Sequence, residues 1–299
     1  MILPGKLKSG DVVGVIAPSG AFERERLVPG IAYLEAQGFV VKEGDALYEK
    51  ERYLAGSDEA RAEDVNAMFG DEDVKGIFVA RGGYGAARVL ALVDWEVVRS
   101  NPKVLVGLSD TTALQLGMYA RTGLVTFSGL ALCSDVTEDG INEVTEASLW
   151  AAVCEHQFAS HGVLTPLRDG VVDGVLMGGC LSLVCSLVGT PFLPDMAGVV
   201  LVLEDVNEPP YRVDRMLTQL KMAGVFDQVA GVVFGEFVGC EPEREGEGTL
   251  EDVLADFVAR VKCPVYCGLK YGHAKERCVL PFGVWGKISN NGLVFETEV

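Results

Sequence analysis

The segment VLVGLSDTTAL runs from an apolar strand pattern through Gly107-Leu108-Ser109-Asp110 into a helical one. Such a corner can hold a serine hydroxyl clear of a sheet edge, with N–H groups of the new helix facing the same space, as acyl transfer requires. Helix capping is the competing role, and Ser109 and Asp110 are both suited to it. Thr111 breaks the hydrolase pattern G-x-S-x-G, so the segment alone leaves both roles open.

A serine nucleophile needs a base that titrates near neutrality, and the chain offers three histidines, His156, His161 and His273. His273 lies in KYGHAKERCVLPFG, a glycine-flanked loop after an apolar strand, where reactive groups are commonly presented. A third group must orient the imidazole. Glu204 closes the apolar strand VVLVLEDV, which places its carboxylate at a sheet edge; Asp205 then points to the other side. Glu208 and Asp214 are further acidic candidates that read as turn or helix-start residues. Cys154, His156 and His161 could instead be metal ligands, but they lack a fourth partner and a recognised spacing.

RGGYG, from Arg81 to Gly85, follows the strand-like GIFVA. Its glycines permit an unusual turn with free N–H groups, suited to a phosphate or an oxyanion. The lysine and Ser/Thr of a P-loop are absent, and the first turn, IAPSG, lacks the glycine triplet of a dinucleotide fold, so nucleotide binding has little support.

The elements that position these groups alternate. Strand patterns at 11–17, 39–41, 76–80 and 104–108 are interleaved with helix patterns at 23–37, 58–69, 86–92 and 111–119. That alternation predicts a mostly parallel sheet covered on both faces. EHQFASHGVLTPLRDG, from Glu155, reads as a linker, which puts a boundary near residue 165. Beyond it come GVLMGGCLSLVCSLVG, the strand at 199–206, a helix over 211–222, the strand in QVAGVVFGEF, and a helix over 250–261. EPEREGEG at 241–248 has nothing to bury and predicts an exposed loop.

The net charge of −18 repels nucleic acid and anionic membranes, so neither is expected as a partner. The start, MILPGKLKSGDVV, lacks the apolar core of an export signal, and no apolar run is long enough to span a bilayer. A cytoplasmic protein with reduced thiols is therefore expected. The eight cysteines are scattered, and Cys263 and Cys267 are one residue too far apart for C-x-x-C.

Six blocks then occur in order: IAPSG at Ile16, ARGGYGAARVL at Ala80, VGLSDTTAL at Val106, GGCLSLVCSLVGTPFLPD at Gly178, LVLEDVNEPPYRVDRMLTQLKMAG at Leu201, and GHAKERCVLPFG at Gly272. Together the blocks span nearly the whole chain, which resembles the LD-carboxypeptidase family of muramoyltetrapeptide carboxypeptidases and microcin-immunity peptidases. The resemblance implies a flavodoxin- or Rossmann-like parallel-sheet α/β domain over 1–165 that carries the nucleophile. A mixed α/β domain over 166–299 would carry glutamate and histidine. It implies Ser109, Glu204 and His273 as the catalytic set, with backbone N–H groups of Asp110 and Gly83 as oxyanion hole. It also implies a muropeptide substrate cleaved before a terminal D-alanine, no metal or other cofactor, and a homodimer.

Three departures bear on the substrate. Cys180 stands where relatives usually have asparagine, Ser128 where many have histidine, and Leu108 where an aromatic is common. Two other readings fit the same residues: an amidase of the same triad acting on a peptidyl-nucleotide antibiotic or related acyl compound, and a non-enzymatic small-ligand binding protein.

Overall fold

The computed structural model describes residues 1–158, 163–289 and 292–295. The first half runs β1 (Val12–Ile16), α1 (Val28–Ala36), β2 (Val40–Glu43), α2 (Asp58–Gly70), β3 (Val74–Val79), α3 (Ala86–Val89), α4 (Trp95–Ser100), β4 (Val104–Gly107), α5 (Thr111–Thr122), β5 (Thr126–Ser128), α6 (Leu132–Asp135) and α7 (Glu143–Trp150). Its five strands are parallel in the order β2-β1-β3-β4-β5. Side chains alternate between two apolar layers, as the period of a strand requires. Val13, Val15, Phe78, Val106 and Phe127 face Leu27, Leu34 and Leu149. Ile16, Ile77, Val79 and Leu105 face Val65, Phe69 and Leu114. Burial on both faces explains why the strands read as unbroken apolar runs.

The second half runs β6 (Thr165–Arg168), β7 (Asp173–Cys180), α8 (Leu181–Leu187), β8 (Val199–Val206), α9 (Pro210–Met222), β9 (Gly231–Val238), α10 (Leu250–Arg260), β10 (Val265–Gly272), β11 (Leu280–Phe282), β12 (Trp285–Ser289) and β13 (Gly292–Phe295). Strands β7, β8, β9 and β10 are parallel, and antiparallel β12, β13 and β6 extend the two edges. The molecule thus has two sheets in a two-domain mixed α/β architecture. Strand β11 crosses back and joins the first sheet, antiparallel to β5. One apolar cluster runs from Leu114 and Leu116 in α5 to Leu181 and Val184 in α8, so the halves share core packing as well as a strand.

Several elements depart from the sequence expectation for local reasons. The helix expected over 23–37 is a 3₁₀ turn at Arg24–Arg26 followed by α1, with Pro29 in its first turn, where a missing N–H costs nothing. The helix expected over 86–92 stops at Val89. Asp94 caps a separate, unanticipated helix, α4, accepting from the N–H groups of Glu96 and Val97. Part of the expected linker, at 165–168, is the edge strand β6; residues 159–162, His161 among them, lie outside the described residues. Helix α10 starts in a capping box between Thr249 and Asp252. Residues 241–247 are exposed. No helix among the described residues is long and apolar enough to cross a membrane.

Candidate active site

Strand β4 is wholly buried, and the chain leaves it through Gly107, where a Cβ would fall 2.3 Å from Thr111 Cγ2. Ser109 follows with φ 65°, the left-handed region that non-glycine residues seldom occupy and that concentrates at functional corners. Its side chain is partly exposed. Asp110 occupies the N-cap position of α5, yet no side-chain bond caps the helix. Its carboxylate turns away instead and accepts the N–H of Ala86 at 2.7 Å, tying the first turn of α3 to the serine corner. The capping role open to Ser109 and Asp110 in the sequence is filled by neither.

The RGGYG turn packs directly against this corner. A Cβ on Gly82 would lie 2.7 Å from Ser109 Cβ, 3.0 Å from its Oγ and 3.4 Å from the Asp110 nitrogen, so only glycine fits without displacement. Gly83 has φ 103° and Gly85 φ 137°, conformations that favour glycine. Gly82 O accepts the N–H of Gly20, which clamps the turn to the APSG segment. Beneath it the buried Arg61 donates to Gly85 O at 3.0 Å and also reaches Pro18 O and Asp58. Among the described residues, the N–H groups of Gly83 and Asp110 have no acceptor. Burial raises the pKa of Asp110, against the lowering bond from Ala86.

Glu204 ends the apolar run of β8 and is fully buried. Its Oε2 lies 2.7 Å from Nδ1 of His273, just past the end of β10. Two glycines make the room. A Cβ on Gly272 (φ 128°) would sit 2.7 Å from Glu204 Oε2, and one on Gly235 would sit 3.2 Å from Glu204 Cβ. With Nδ1–H donating to the carboxylate, Nε2 is left as the basic nitrogen. Burial lowers the His273 pKa, but the hydrogen bond and charge of Glu204 outweigh it and the net shift is upward. Burial likewise raises Glu204, opposed by His273. Its Oε1 is buried without a partner among the described residues.

Two pins join the halves around these groups. Thr112 Oγ1, three residues beyond Ser109, accepts the N–H of Cys180 at 3.2 Å, and Cys180 pairs with Glu204 in the β7–β8 register. Ser128, paired with Gly107 between β4 and β5, shares a 2.7 Å hydrogen bond with the hydroxyl of Tyr271, two residues before His273. Arg277 adds a clamp, its Nε donating to Gly129 O at 2.7 Å. These contacts join the elements that flank Ser109 to the strands that carry Glu204 and His273; among the described residues there is no hydrogen bond from Ser109 to His273.

The remaining candidates are engaged elsewhere. Asp205 does point away from Glu204: it accepts the N–H of Ser182 at 2.9 Å and the thiol of Cys180 at 3.3 Å, holding the start of α8. Glu208 pairs with Arg212 and Asp214 with Arg260. His156 sits in a left-handed turn against Phe158, and burial lowers its pKa. No group of three or more His, Cys, Asp or Glu side chains among the described residues could hold a metal. Cys180, Ser128 and Leu108 are all buried, so the three departures act beneath the site surface. Thr112, Tyr271, Arg61 and Arg277 escaped sequence reasoning, because their roles are contacts between segments with no shared spacing.

Comparison with known proteins places the chain in a family. Residues 13–129 match the model of the LD-carboxypeptidase N-terminal domain, and residues 173–288 that of the C-terminal domain. A probable murein peptide carboxypeptidase of Bacillus subtilis is 40% identical over 284 residues, 94% of this chain and 89% of that protein. The crystal structure of a muramoyltetrapeptide carboxypeptidase from Oxalobacter formigenes superposes with a TM-score of 0.83 at 29% identity, covering 94% of this chain and 96% of that one. A microcin C7 self-immunity protein shares the fold, with a TM-score of 0.91 at 24% identity, covering 100% and 99%. On both domain matches and these relatives, the chain belongs to the LD-carboxypeptidase family of serine-type hydrolases.

Proposed function

We propose that this chain is a serine LD-carboxypeptidase that releases a terminal D-amino acid, D-alanine, from muropeptides. Nε2 of His273 accepts the Oγ proton as Ser109 attacks the scissile carbonyl. The oxyanion takes hydrogen bonds from the N–H groups of Gly83 and Asp110. When the tetrahedral intermediate collapses, His273 returns the proton to the leaving amine, and an acyl group stays on Ser109. Water, deprotonated by the same imidazole, then attacks the ester and frees the enzyme. Glu204 holds the ring in its working tautomer and stabilises the imidazolium.

The observation that carries this reading is the 2.7 Å contact between Glu204 Oε2 and His273 Nδ1, supported by a left-handed serine whose flanking elements are hydrogen-bonded to the half that carries the pair. Family membership and the murein and muramoyltetrapeptide names of the relatives support the substrate class. The division into a nucleophile domain over 1–165 and a Glu/His domain over 166–299 belongs to the proposal. So does a flavodoxin-like first domain, which the β2-β1-β3-β4-β5 order supports. Action in cytoplasmic cell-wall recycling as a homodimer completes it, on the strength of the family.

Incubation with a D-alanine-terminated muropeptide, followed by mass spectrometry, tests the reading. Loss of one alanine by the wild type and none by folded Ser109→Ala is expected. Near-normal turnover by Ser109→Ala overturns the serine mechanism.

A further inference from the structure

Beside the RGGYG turn lies a cleft of about 640 Å³ whose charge runs against the rest of the molecule. Four cations line it, Arg26, Lys50, Arg52 and Arg81, with one carboxylate, Glu23, in a chain of net charge −18. Lys50 is neutralised by Glu23 at 2.9 Å, and Arg52 is paired with Glu51 at 3.3 Å. Arg26 and Arg81 have no carboxylate partner among the described residues. Arg81 is held in place, since it is half-buried and one N–H donates to Ala21 O, yet its other N–H groups lack an acceptor among the described residues.

Position gives these cations their meaning. Gly83 lines the cleft, and the adjoining Gly82 packs on Ser109, so the cleft opens beside the nucleophile corner. Arg81 Nε lies 4.0 Å from where a Cβ on Gly83 would stand. Tyr53 and Tyr84, both more than half exposed, meet edge to face at 5.7 Å on the cleft wall. Arg52, next to Tyr53, has a left-handed φ of 59°. An exposed arginine alone is ordinary solvated surface. An anchored guanidinium without a counter-ion, joined by a second one and exposed aromatic rings beside the reacting corner, is an anion receptor.

We propose that Arg81, with Arg26, forms a carboxylate-binding subsite for the peptide substrate. The inference rests on the carboxypeptidase reading for its ligand, and its physical role follows from charge. A muropeptide bears several carboxylates, which the overall field of this protein repels. The cleft reverses that field locally, and a guanidinium offers a carboxylate two parallel N–H bonds. The carboxylate is either the terminal one of the leaving residue or a free one on the acyl side.

The test uses a D-alanine-terminated tetrapeptide with diaminopimelate at the penultimate position, and two analogues in which one or the other carboxylate is a carboxamide. Hydrolysis is measured with the wild type, Arg81→Gln and Arg26→Gln, and binding by calorimetry with the same series in a Ser109→Ala background. One amidation should lower kcat/KM and affinity roughly 10- to 100-fold when Arg81 is present, and only a few-fold in Arg81→Gln. The analogue that responds identifies the carboxylate. Equal penalties with and without the arginines, for both analogues, overturn the subsite even if hydrolysis is normal. Charge-dependent binding without hydrolysis by the wild type leaves the subsite standing and sinks the carboxypeptidase reading; absence of both binding and hydrolysis overturns both. If Arg81→Gln fails to fold by circular dichroism, the exposed Arg26→Gln gives the same comparison.

Discussion

Ser128 and Tyr271 join their hydroxyls at 2.7 Å across the two sheets, and both side chains are fully buried. The bond links β5, beside the strand that presents Ser109, to the end of β10, which presents His273. The proposed nucleophile and base come from different sheets, so their separation depends on such contacts. Ser128→Ala or Tyr271→Phe should each destabilise the fold by about 1–3 kcal/mol, because the surviving hydroxyl is left buried and unpaired. The double variant should cost less than the sum of the two. Urea unfolding of the four proteins measures this cycle, and strict additivity would show that the hydroxyls are not coupled.

The elevated pKa of His273 sets a pH dependence. The ring acts as a base only when neutral, and Glu204 raises its pKa above the ordinary imidazole value despite burial. The rate kcat/KM should therefore fall as pH drops through a value above about 6.5. In Glu204→Gln the charge is gone and burial becomes the largest remaining influence, so this limb should move to lower pH while kcat falls strongly at every pH. The same sign governs stability. The favourable charge interaction of His273 is fully present below its unfolded pKa and is lost as pH rises through the folded one. A pH–rate profile of both proteins decides the matter, and an unmoved limb in Glu204→Gln would remove Glu204 from the titration.

Gly82 is a steric test of the nucleophile's position. It has no left-handed φ that would penalise a side chain, so Gly82→Ala acts through contact with Ser109 Cβ at 2.7 Å and Oγ at 3.0 Å. The fold should survive, while kcat falls on the order of 100-fold, as expected for a displacement approaching 1 Å at a reacting group. Steady-state kinetics with circular dichroism checks this. Unchanged turnover would mean that the turn yields without disturbing the serine.

The acidic loop at 241–248 should be dispensable. Residues 241–247 are exposed, and the loop's own hydrogen bond, Arg244 N to Glu247 Oε2 at 3.2 Å, is local. Replacing it by a short glycine-serine linker that spares the Thr249–Asp252 capping box should leave Tm within about 2 °C, a shift that corresponds to a loss of no more than roughly 1 kcal/mol in a chain of this size. Calorimetric scans of both proteins provide the comparison.

Much of the candidate site is legible in the sequence because each of its parts is local. A strand running into Gly-Leu-Ser-Asp, a carboxylate closing an apolar strand, and a histidine between glycines each follow from a few consecutive residues. Strand alternation at β1, β3 and β4 and the exposure of 241–247 were legible for the same reason, since side-chain direction in a strand is fixed by its neighbours. Tertiary structure decided the rest. Whether Ser109 or Asp110 caps α5 depended on Ala86, 24 residues away, which draws the Asp110 carboxylate to itself. The partner of Ser128 lay 143 residues off in Tyr271, and that of Cys180 68 residues off in Thr112. Strand β11 returned to the first sheet against the order of the chain. Local propensity fixes which segments are strands and which corners present a hydroxyl. Contacts between distant segments carry no periodic signal, and only packing both halves around one core chose which groups meet.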